Sequence, residues 1–178
     1  MKDKLILFVA QGFGVGRIPF APGTFGSVVG LGWFALLLAT GNIWLFAMGT
    51  ILGLAASVWF CGKAEKILGQ TDPGSVVLDE IIAIPICFAA WVALQFQQTA
   101  QLSPTYYFFY EHVWLTLGGF AAFRFFDVVK PWPVGQSQKL PGGWGVTVDD
   151  VLAAVYVSLI GLVFHFAMGR INEEMLQF

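Results

Sequence analysis

The sequence predicts an all-α protein, a polytopic membrane bundle of about five spanning helices, and three observations support that prediction. Of the 178 residues, 57% are hydrophobic and only 11% are charged, whereas about a quarter of the residues in a soluble domain are charged. The apolar residues form long runs, such as 43–60. The breaks between the runs are rich in glycine, proline and small polar residues, as turns are. An unusually apolar soluble bundle is the alternative, but a chain of this length has too little interior to bury so much apolar surface.

Each predicted span is an apolar run of roughly the length that crosses a hydrocarbon core about 30 Å thick. In chain order the predicted spans are 24–39, 43–62, 76–96, 106–128 and 147–168. Segment 5–13 is too short to span, and we expect it to lie at the interface or to enter the bundle part-way. The N-terminus resembles a signal peptide but continues without a small-x-small cleavage site, so we expect it to be retained. No internal repeat or long linker divides the chain, so residues 1–178 are expected to form a single domain.

The composition excludes several kinds of site. A net charge of −2 leaves no basic stripe for nucleic acid. Cys61 and Cys87 lie in apolar sequence without histidines at metal-binding spacing, so they indicate neither a disulfide nor a zinc site. Nothing in the sequence indicates an obligate protein partner, and the expected surroundings are the membrane bilayer.

The basic residues predict which side of the bundle faces the cytoplasm. The predicted loops 40–42 and 97–104 carry no charge. Seven basic residues fall on the opposite side of the predicted topology: Lys2, Lys4, Arg17, Lys63, Lys66, Lys130 and Lys139. Because cytoplasmic loops are enriched in lysine and arginine, the charged side is predicted to be cytoplasmic.

The acidic residues gather on that same side. Five of them lie at the cytoplasmic ends of three predicted spans: Asp79, Glu80, Asp127, Asp149 and Asp150. Ionisable groups in spanning helices are costly and usually face a cavity or a partner, so they predict a polar site at this end. A structural ion-pair network is the alternative, but adjacent carboxylates repel each other unless a cation lies between them. Clustered carboxylate oxygens favour Mg²⁺, which we expect as the cofactor.

Three cations, Arg17, Arg124 and Lys130, are expected at the same depth. Arginine and lysine bind phosphate oxygens, so together with Mg²⁺ they predict phosphoryl chemistry on a lipid head group. The Gly/Pro-rich N-terminal loop fits this prediction, because Thr24 and Ser27 could cap the helix that follows and a helix N-terminus is an anion site. A flexible hairpin that leads into the first span is an equally acceptable interpretation of this loop.

The segment FRFFDVVKPWPV, residues 123–134, concentrates charge in an apolar context. Arg124, Asp127 and Lys130 follow one another at steps of three, which predicts that they share one face of a helix. Pro131 is expected to end that helix. Lys130 is therefore expected at the membrane surface, where a phosphate would lie.

Four blocks of the sequence resemble the phosphatidylglycerophosphatase A family, in the family's order and over nearly the whole chain: IPFAPGTFGS at 18–27, SVVLDE at 75–80, FRFFDVVKPWP at 123–133 and GGWGVTVDD at 142–150. The resemblance implies a Mg²⁺-dependent lipid phosphatase, a multi-pass protein of the bacterial inner membrane whose active site faces the cytoplasm. It also implies the substrate, phosphatidylglycerophosphate, whose terminal phosphomonoester is hydrolysed to give phosphatidylglycerol and phosphate in phospholipid biosynthesis. The chain departs from the family where it has Ile82, Ala83 and Ala154 near positions that often hold glycine, which concerns helix packing.

The resemblance carries site residues over position by position: Arg17, Pro22, Gly23, Thr24, Asp79, Glu80, Arg124, Asp127, Lys130, Gly143, Gly145, Asp149 and Asp150. The expected metal ligands are Asp79, Glu80, Asp127, Asp149 and Asp150. The residues expected to act in catalysis are Asp149, Asp150, Arg17, Arg124 and Lys130. The residues expected to bind substrate are Arg17, Thr24, Ser27, Lys130, Gly143 and Gly145.

Two questions of mechanism and function stay open at this point. We expect a water activated by Mg²⁺ to attack the phosphate, and an aspartyl-phosphate intermediate on Asp149 or Asp150 is the alternative. A small cation-coupled membrane transporter is the alternative function, but its ion site would be expected near the middle of the membrane. A phosphatidyltransferase would be expected to show an Asp-Gly pair followed by Ala-Arg, which this sequence lacks.

Overall fold

The computed structural model describes residues 1–109 and 112–175, with side chains as far as residue 167. These residues contain no β-strand, which confirms the predicted all-α class. Nine α-helices lie within the described ranges: α1 (Lys2–Ala10), α2 (Pro22–Leu38), α3 (Ile43–Leu68), α4 (Leu78–Cys87), α5 (Ala89–Thr99), α6 (Pro104–Phe108), α7 (Val113–Val129), α8 (Val134–Ser137) and α9 (Gly143–Met175). A kinked 3₁₀ segment, Gly12–Arg17, joins α1 to α2.

Apolar helices long enough to cross a membrane are present, as the composition predicts. α3 and the part of α9 from Gly143 to Ala167 each satisfy the requirements of length and composition. α4 and α5 together form a third candidate span if they are counted as one helix with a bend of 41°. α2 is apolar but shorter, with 17 residues. By this criterion the described residues hold two or three spans, compared with the five that the sequence predicts.

Two of the predicted spans are interrupted helices. The predicted span 76–96 bends at Phe88, three residues after Pro85, because a proline inside a helix removes a backbone hydrogen bond and clashes with the preceding turn. Beyond the bend, the backbone N–H of Ala90 donates to Ser158 Oγ at 3.1 Å, so α9 supplies the partner that the broken helix does not. The predicted span 106–128 is also divided, without a proline: α6 ends at Phe108, Phe109 has an extended backbone, and α7 begins at Val113.

α4 lies at the centre of the bundle, packed against α2, α3 and α9. Close approach of α2 depends on its glycines: a Cβ at Gly26 would lie 2.8 Å from Val77 Cβ. Aromatic side chains fill the core beyond the acidic end, where Phe34 stacks on Phe88 with ring centroids 4.8 Å apart. The N-terminus of α4, which carries two of the predicted ligands, is therefore enclosed by three neighbouring helices.

Candidate active site

The five predicted carboxylates meet at one end of the bundle. Asp79 and Glu80 lie in the first turn of α4, Asp127 in the last turn of α7, and Asp149 and Asp150 in the second turn of α9. The positive end of the α4 dipole favours two acids there, and the backbone N–H of Glu80 donates to Asp79 Oδ1 at 3.1 Å. All five line a cavity of about 270 Å³ together with Asp72, Gly74, Val76, Val128, Lys130 and Val146.

These carboxylates form a suitable binding site for a hard divalent cation. One oxygen from each of Asp79, Glu80 and Asp150 lies within 4.8 Å of the others. Three buried oxygens, Glu80 Oε2, Asp149 Oδ1 and Asp150 Oδ1, have no hydrogen-bond partner among the described residues. Buried polar atoms are nearly always satisfied, so unpaired carboxylate oxygens that converge on one cavity point to a ligand that supplies positive charge.

Two cations neutralise part of the acidic cluster. Arg124 Nη1 lies 2.6 Å from Asp127 Oδ2, one turn later on α7, and 3.7 Å from Glu80 Oε1 on α4. Lys130 Nζ lies 3.9 Å from Asp127 Oδ1 and donates a hydrogen bond to Asp149 on α9. The predicted spacing of 124, 127 and 130 therefore places all three side chains on one face. Together they link three helices at the cavity.

The protonation of Lys130 follows from its neighbours. Burial alone lowers the pKa of an ammonium group, because it removes the water that stabilises the charge. The hydrogen bond to Asp149 and the negative charges of Asp149 and Asp127 outweigh this effect, so the pKa of Lys130 is raised above its ordinary value. Lys130 is therefore a positively charged group at the cavity.

Residues of α2 hold Arg124 from behind. Arg124 Nη1 donates to Ser27 Oγ at 3.3 Å, and Ser27 Oγ in turn donates to the carbonyl of Gly23 at 2.8 Å. There is no room for a side chain at position 23. A Cβ added at Gly23 would overlap Glu80 Oε1 and would lie 3.1 Å from Arg124 Nη2. The GTFGS part of the first block therefore packs closely against Arg124 and Glu80. Ser27 contacts the site through its hydrogen bond with Arg124.

Arg17 is exposed and lies outside the group of residues that line the cavity. Its Nε donates to Gln11 Oε1 at 2.9 Å, and Gln11 Nε2 donates to Ser75 Oγ at 3.3 Å. This chain of hydrogen bonds ties the 3₁₀ segment to the loop that leads into Asp79. The predicted roles of Arg17 in catalysis and substrate binding stay predictions.

The prediction that Thr24 or Ser27 caps a helix is wrong. α2 begins earlier, at Pro22, and its N-cap residue is Ala21 in a left-handed conformation with φ of 46° and no side-chain cap. Proline favours the first helical position because its fixed φ suits the helix and its missing N–H is not needed there. Thr24 lies half-buried in the first turn, where its backbone N–H bonds to the carbonyl of Ala21 at 3.0 Å.

Gly143 and Gly145 occupy tight packing positions at the start of α9. A Cβ at Gly143 would overlap the carbonyl of Val58 on α3, and one at Gly145 would lie 2.5 Å from the carbonyl of Leu140. Neither glycine is among the residues that line the cavity. Their predicted contact with substrate stays a prediction, and the structure gives each of them a close packing contact at the start of the helix that carries Asp149 and Asp150.

One cavity residue, Asp72, is missing from the predicted site. Its backbone is left-handed with φ of 48°, its N–H donates to Glu65 Oε1 at 2.9 Å, and Gln138 Nε2 donates to its Oδ2 at 3.0 Å. The available signal was the position of an acid at a Pro-Gly turn just before the SVVLDE block. The sequence alone did not show that this turn folds back over the cavity.

Comparisons with known proteins agree with the geometry. The sequence model of the family described as phosphatidylglycerophosphatase A matches residues 8–165. The chain is 35% identical over 164 residues to phosphatidylglycerophosphatase A of Haemophilus influenzae, covering 92% of this chain and 90% of that protein. It is 32% identical over 168 residues to phosphatidylglycerophosphatase A of Escherichia coli K12, covering 92% and 87%. It is also 34% identical over 169 residues to a Bacteroides thetaiotaomicron protein named "Putative phosphatidylinositol-3-phosphatase", covering 93% and 96%. No solved structure matches the chain.

Proposed function

We propose that this protein is a Mg²⁺-dependent lipid phosphatase acting on phosphatidylglycerophosphate, because the chain belongs to the phosphatidylglycerophosphatase A family. In the proposed reaction water attacks the terminal phosphomonoester, the bond from phosphorus to the glycerol oxygen breaks, and that oxygen takes up a proton. The products are phosphatidylglycerol and inorganic phosphate. The two relatives named phosphatidylglycerophosphatase A are aligned over most of their lengths, which supports the same substrate for this chain.

The proposal includes a membrane topology. We place the whole chain, as one domain of about five spans, in the bacterial inner membrane, with the site at the cytoplasmic end. α2 and α7, with 17 residues each, would be the two spans beyond the longer candidates. The support is the distribution of lysine and arginine around this end of the bundle, as the positive-inside rule expects.

One observation carries the chemical part of the proposal: unpaired acceptors line the cavity, and an unpaired donor lies beside them on the arginine that pairs with two of the lining carboxylates. Glu80 Oε2, Asp149 Oδ1 and Asp150 Oδ1 are acceptors without a partner, and Arg124 Nε is a buried donor without one, all counted within the described residues. A cation would satisfy the carboxylates and an anion would satisfy the guanidinium. A metal-bound phosphate monoester supplies both.

The residues divide the work by charge. Mg²⁺ held by Asp79, Glu80, Asp127, Asp149 and Asp150 would polarise the phosphate and lower the pKa of a bound water. Arg124, fixed by its ion pair with Asp127, would bind a phosphate oxygen through its Nε–H, which has no partner among the described residues. Lys130 adds a point charge that offsets the negative charge on the transferred group. Attack by water is the proposed route, and attack by a carboxylate of Asp149 or Asp150, through an aspartyl-phosphate intermediate, is the alternative.

The alternative function, a small cation-coupled transporter, has less support. The relatives' names describe phosphatases, and the carboxylates lie at helix ends: Asp127 is in the last turn of α7, and Asp79 and Glu80 are in the first turn of α4. Ion sites of transporters are expected near the membrane midplane. The same geometry would suit any lipid phosphomonoester, which is why the Bacteroides relative's name makes an inositol lipid the second substrate to test.

The test measures phosphate release by the purified protein in detergent, with Mg²⁺, from phosphatidylglycerophosphate and from phosphatidylinositol 3-phosphate. We expect release from the first lipid with the higher kcat/KM. Faster release from the inositol lipid would contradict the proposed substrate but agree with the proposed phosphatase chemistry. No release from either lipid, by protein whose helical circular dichroism is intact, would overturn the phosphatase and bring the transporter forward.

A further inference from the structure

A second, larger cavity lies along the apolar part of the bundle, and the proposed chemistry makes no use of it. It has a volume of about 760 Å³ and is bounded by α4 and α5 on one side and by α7 and α9 on the others. Its described lining contains no aspartate, glutamate, lysine or arginine. We call it the lateral groove. Its size is in the range of pockets that bind small molecules.

We propose that the lateral groove holds an acyl chain of the lipid substrate while its phosphate lies in the acidic cavity, an inference that rests on the proposed function. The groove and the cavity share three helices. Along α9, Asp150 is followed at steps of seven and four residues by Val157 and Gly161, which lie on the same helix face. Seven residues correspond to about 10 Å of helix at about 1.5 Å per residue, so the groove begins about 10 Å from the acids.

The other two helices show the same order, with similar offsets. Cys87 lines the groove seven residues after Glu80 on α4, which is again about 10 Å. On α7, Ala122 lines it five residues before Asp127, about 7 Å away. The order from acids to apolar lining therefore agrees on all three helices. A phospholipid has the same order, because a charged head group is followed by hydrocarbon.

Glycines create the space in the groove. A Cβ added at Gly118 on α7 or at Gly161 on α9 would meet no atom within 4 Å. Gly119 differs, because a Cβ there would lie 2.6 Å from Phe88 at the bend between α4 and α5. Gly119 therefore allows α7 to pack closely against Phe88. Gly118 and Gly161 leave open volume that a hydrocarbon chain can fill.

The few polar groups of the groove do not favour a polar ligand. Ser158 Oγ already accepts the hydrogen bond from the Ala90 N–H. His112 stacks on Tyr106 with ring centroids 4.1 Å apart, and His165 packs edge-on against Phe166. Both histidines lie toward the end of the groove away from the acids, since His112 is the N-cap residue of α7, whose last turn carries Asp127, and His165 lies near the end of the described side chains of α9. Between candidate spanning helices the surrounding medium is hydrocarbon, so the matching occupant is an acyl chain.

The first experiment fills the groove from its open positions. Gly118→Leu and Gly161→Leu are compared with Gly32→Leu, a control on α2 where a Cβ also meets nothing within 4 Å but which does not line the groove. Phosphate release is measured from phosphatidylglycerophosphate with long acyl chains and with six-carbon chains. We expect both groove variants to lose about tenfold or more of kcat/KM for the long-chain lipid, because contacts with several methylene groups are lost, and to match the wild type on the short-chain lipid.

Two results of that experiment would contradict the proposal that the lateral groove holds an acyl chain. Groove variants that equal Gly32→Leu on the long-chain lipid would show that no acyl chain lies there. Equal losses on both lipids would show damage to the protein, with no dependence on chain length. In either case release by the wild type still tests the phosphatase itself, so the two proposals fail separately.

A second measurement does not depend on activity. Wild-type protein is labelled by a phosphatidylglycerophosphate that carries a diazirine in its acyl chain, and the adducts are mapped by mass spectrometry. We expect more adducts at Leu94 and Leu115 in the groove than at the exposed Ile51 and Leu52 of α3. An excess of unlabelled lipid should remove the adducts in the groove. Equal labelling of both faces, or cross-links between two copies at the groove, would overturn the proposal. Groove labelling without phosphate release would keep the groove and overturn the phosphatase.

Discussion

Arg124 Nη1 lies 2.6 Å from Asp127 Oδ2, one helical turn away, and this ion pair sits at the junction of α7 with α4. Both side chains are largely buried, with 18% and 12% of their surface exposed. An arginine held in this way loses little additional freedom when it binds a phosphate, because its orientation is already fixed. The pair therefore positions the guanidinium, whose buried Nε has no hydrogen-bond partner among the described residues.

Gly23→Ala is expected to lower the rate of phosphate release about tenfold or more, because a misplacement of about 1 Å at a reacting centre can cost up to about 100-fold. The new methyl group would overlap Glu80 Oε1 and press on the Arg124 guanidinium. Gly32→Ala is the matched control on the same helix, where the added Cβ meets nothing within 4 Å. Activity measured in detergent should separate the two variants. Equal activities would show that the fit between α2 and the ion pair is unimportant.

Ser27→Ala is expected to reduce kcat/KM by about two- to tenfold, the effect of one lost hydrogen bond. Ser27 accepts from Arg124 and also donates to the carbonyl four residues earlier. Thr50→Ala is the control, since Thr50 makes the same backbone contact, to Phe46 at 2.9 Å, without an arginine. Ser27→Thr should restore the activity. The account is contradicted if Ser27→Ala has no larger effect than Thr50→Ala.

Lys130→Gln is expected to lower kcat/KM by about 10- to 100-fold, the usual effect of removing a group that supports metal ligands. The change leaves Asp149, whose side chain is only 3% exposed, without its positive partner. Lys139→Gln, an exposed lysine of the following loop, is the control, and Lys130→Arg should retain part of the activity. Steady-state kinetics in detergent provide the measurement. Similar kcat/KM values for Lys130→Gln and Lys139→Gln would show that Lys130 is not part of the site.

The arrangement of the site could be predicted from the sequence because charge is so rare in this chain. Steps of three placed Arg124, Asp127 and Lys130 on one face, and the ion pairs confirm that placement. Asp79 and Asp150 were predicted to meet because both lie near the cytoplasmic end of a predicted span. In a membrane helix a buried acid needs a partner, so few arrangements were available.

The remaining features depend on contacts between distant segments, which hydropathy does not reveal. The left-handed Ala21 starts α2 before the expected cap, and Asp72 reaches the cavity through contacts with Glu65 and Gln138. The bend at Phe88 interrupts an apolar run that reads as one continuous span. The positions of the rare charges therefore identified the acidic end of each helix, and tertiary packing determined the turns that complete the cavity.

The central claim is that the carboxylates of α4 and α9 hold a divalent cation on which phosphate release depends. The most direct measurement is release from phosphatidylglycerophosphate by the EDTA-treated wild type as Mg²⁺ is returned, beside Asp150→Asn and the exposed control Asp3→Asn. We predict no release in EDTA, full recovery with Mg²⁺ for the wild type and Asp3→Asn, and a loss of about 100-fold for Asp150→Asn at saturating Mg²⁺. Release that persists in EDTA, or an Asp150→Asn variant as active as the control, would contradict the account.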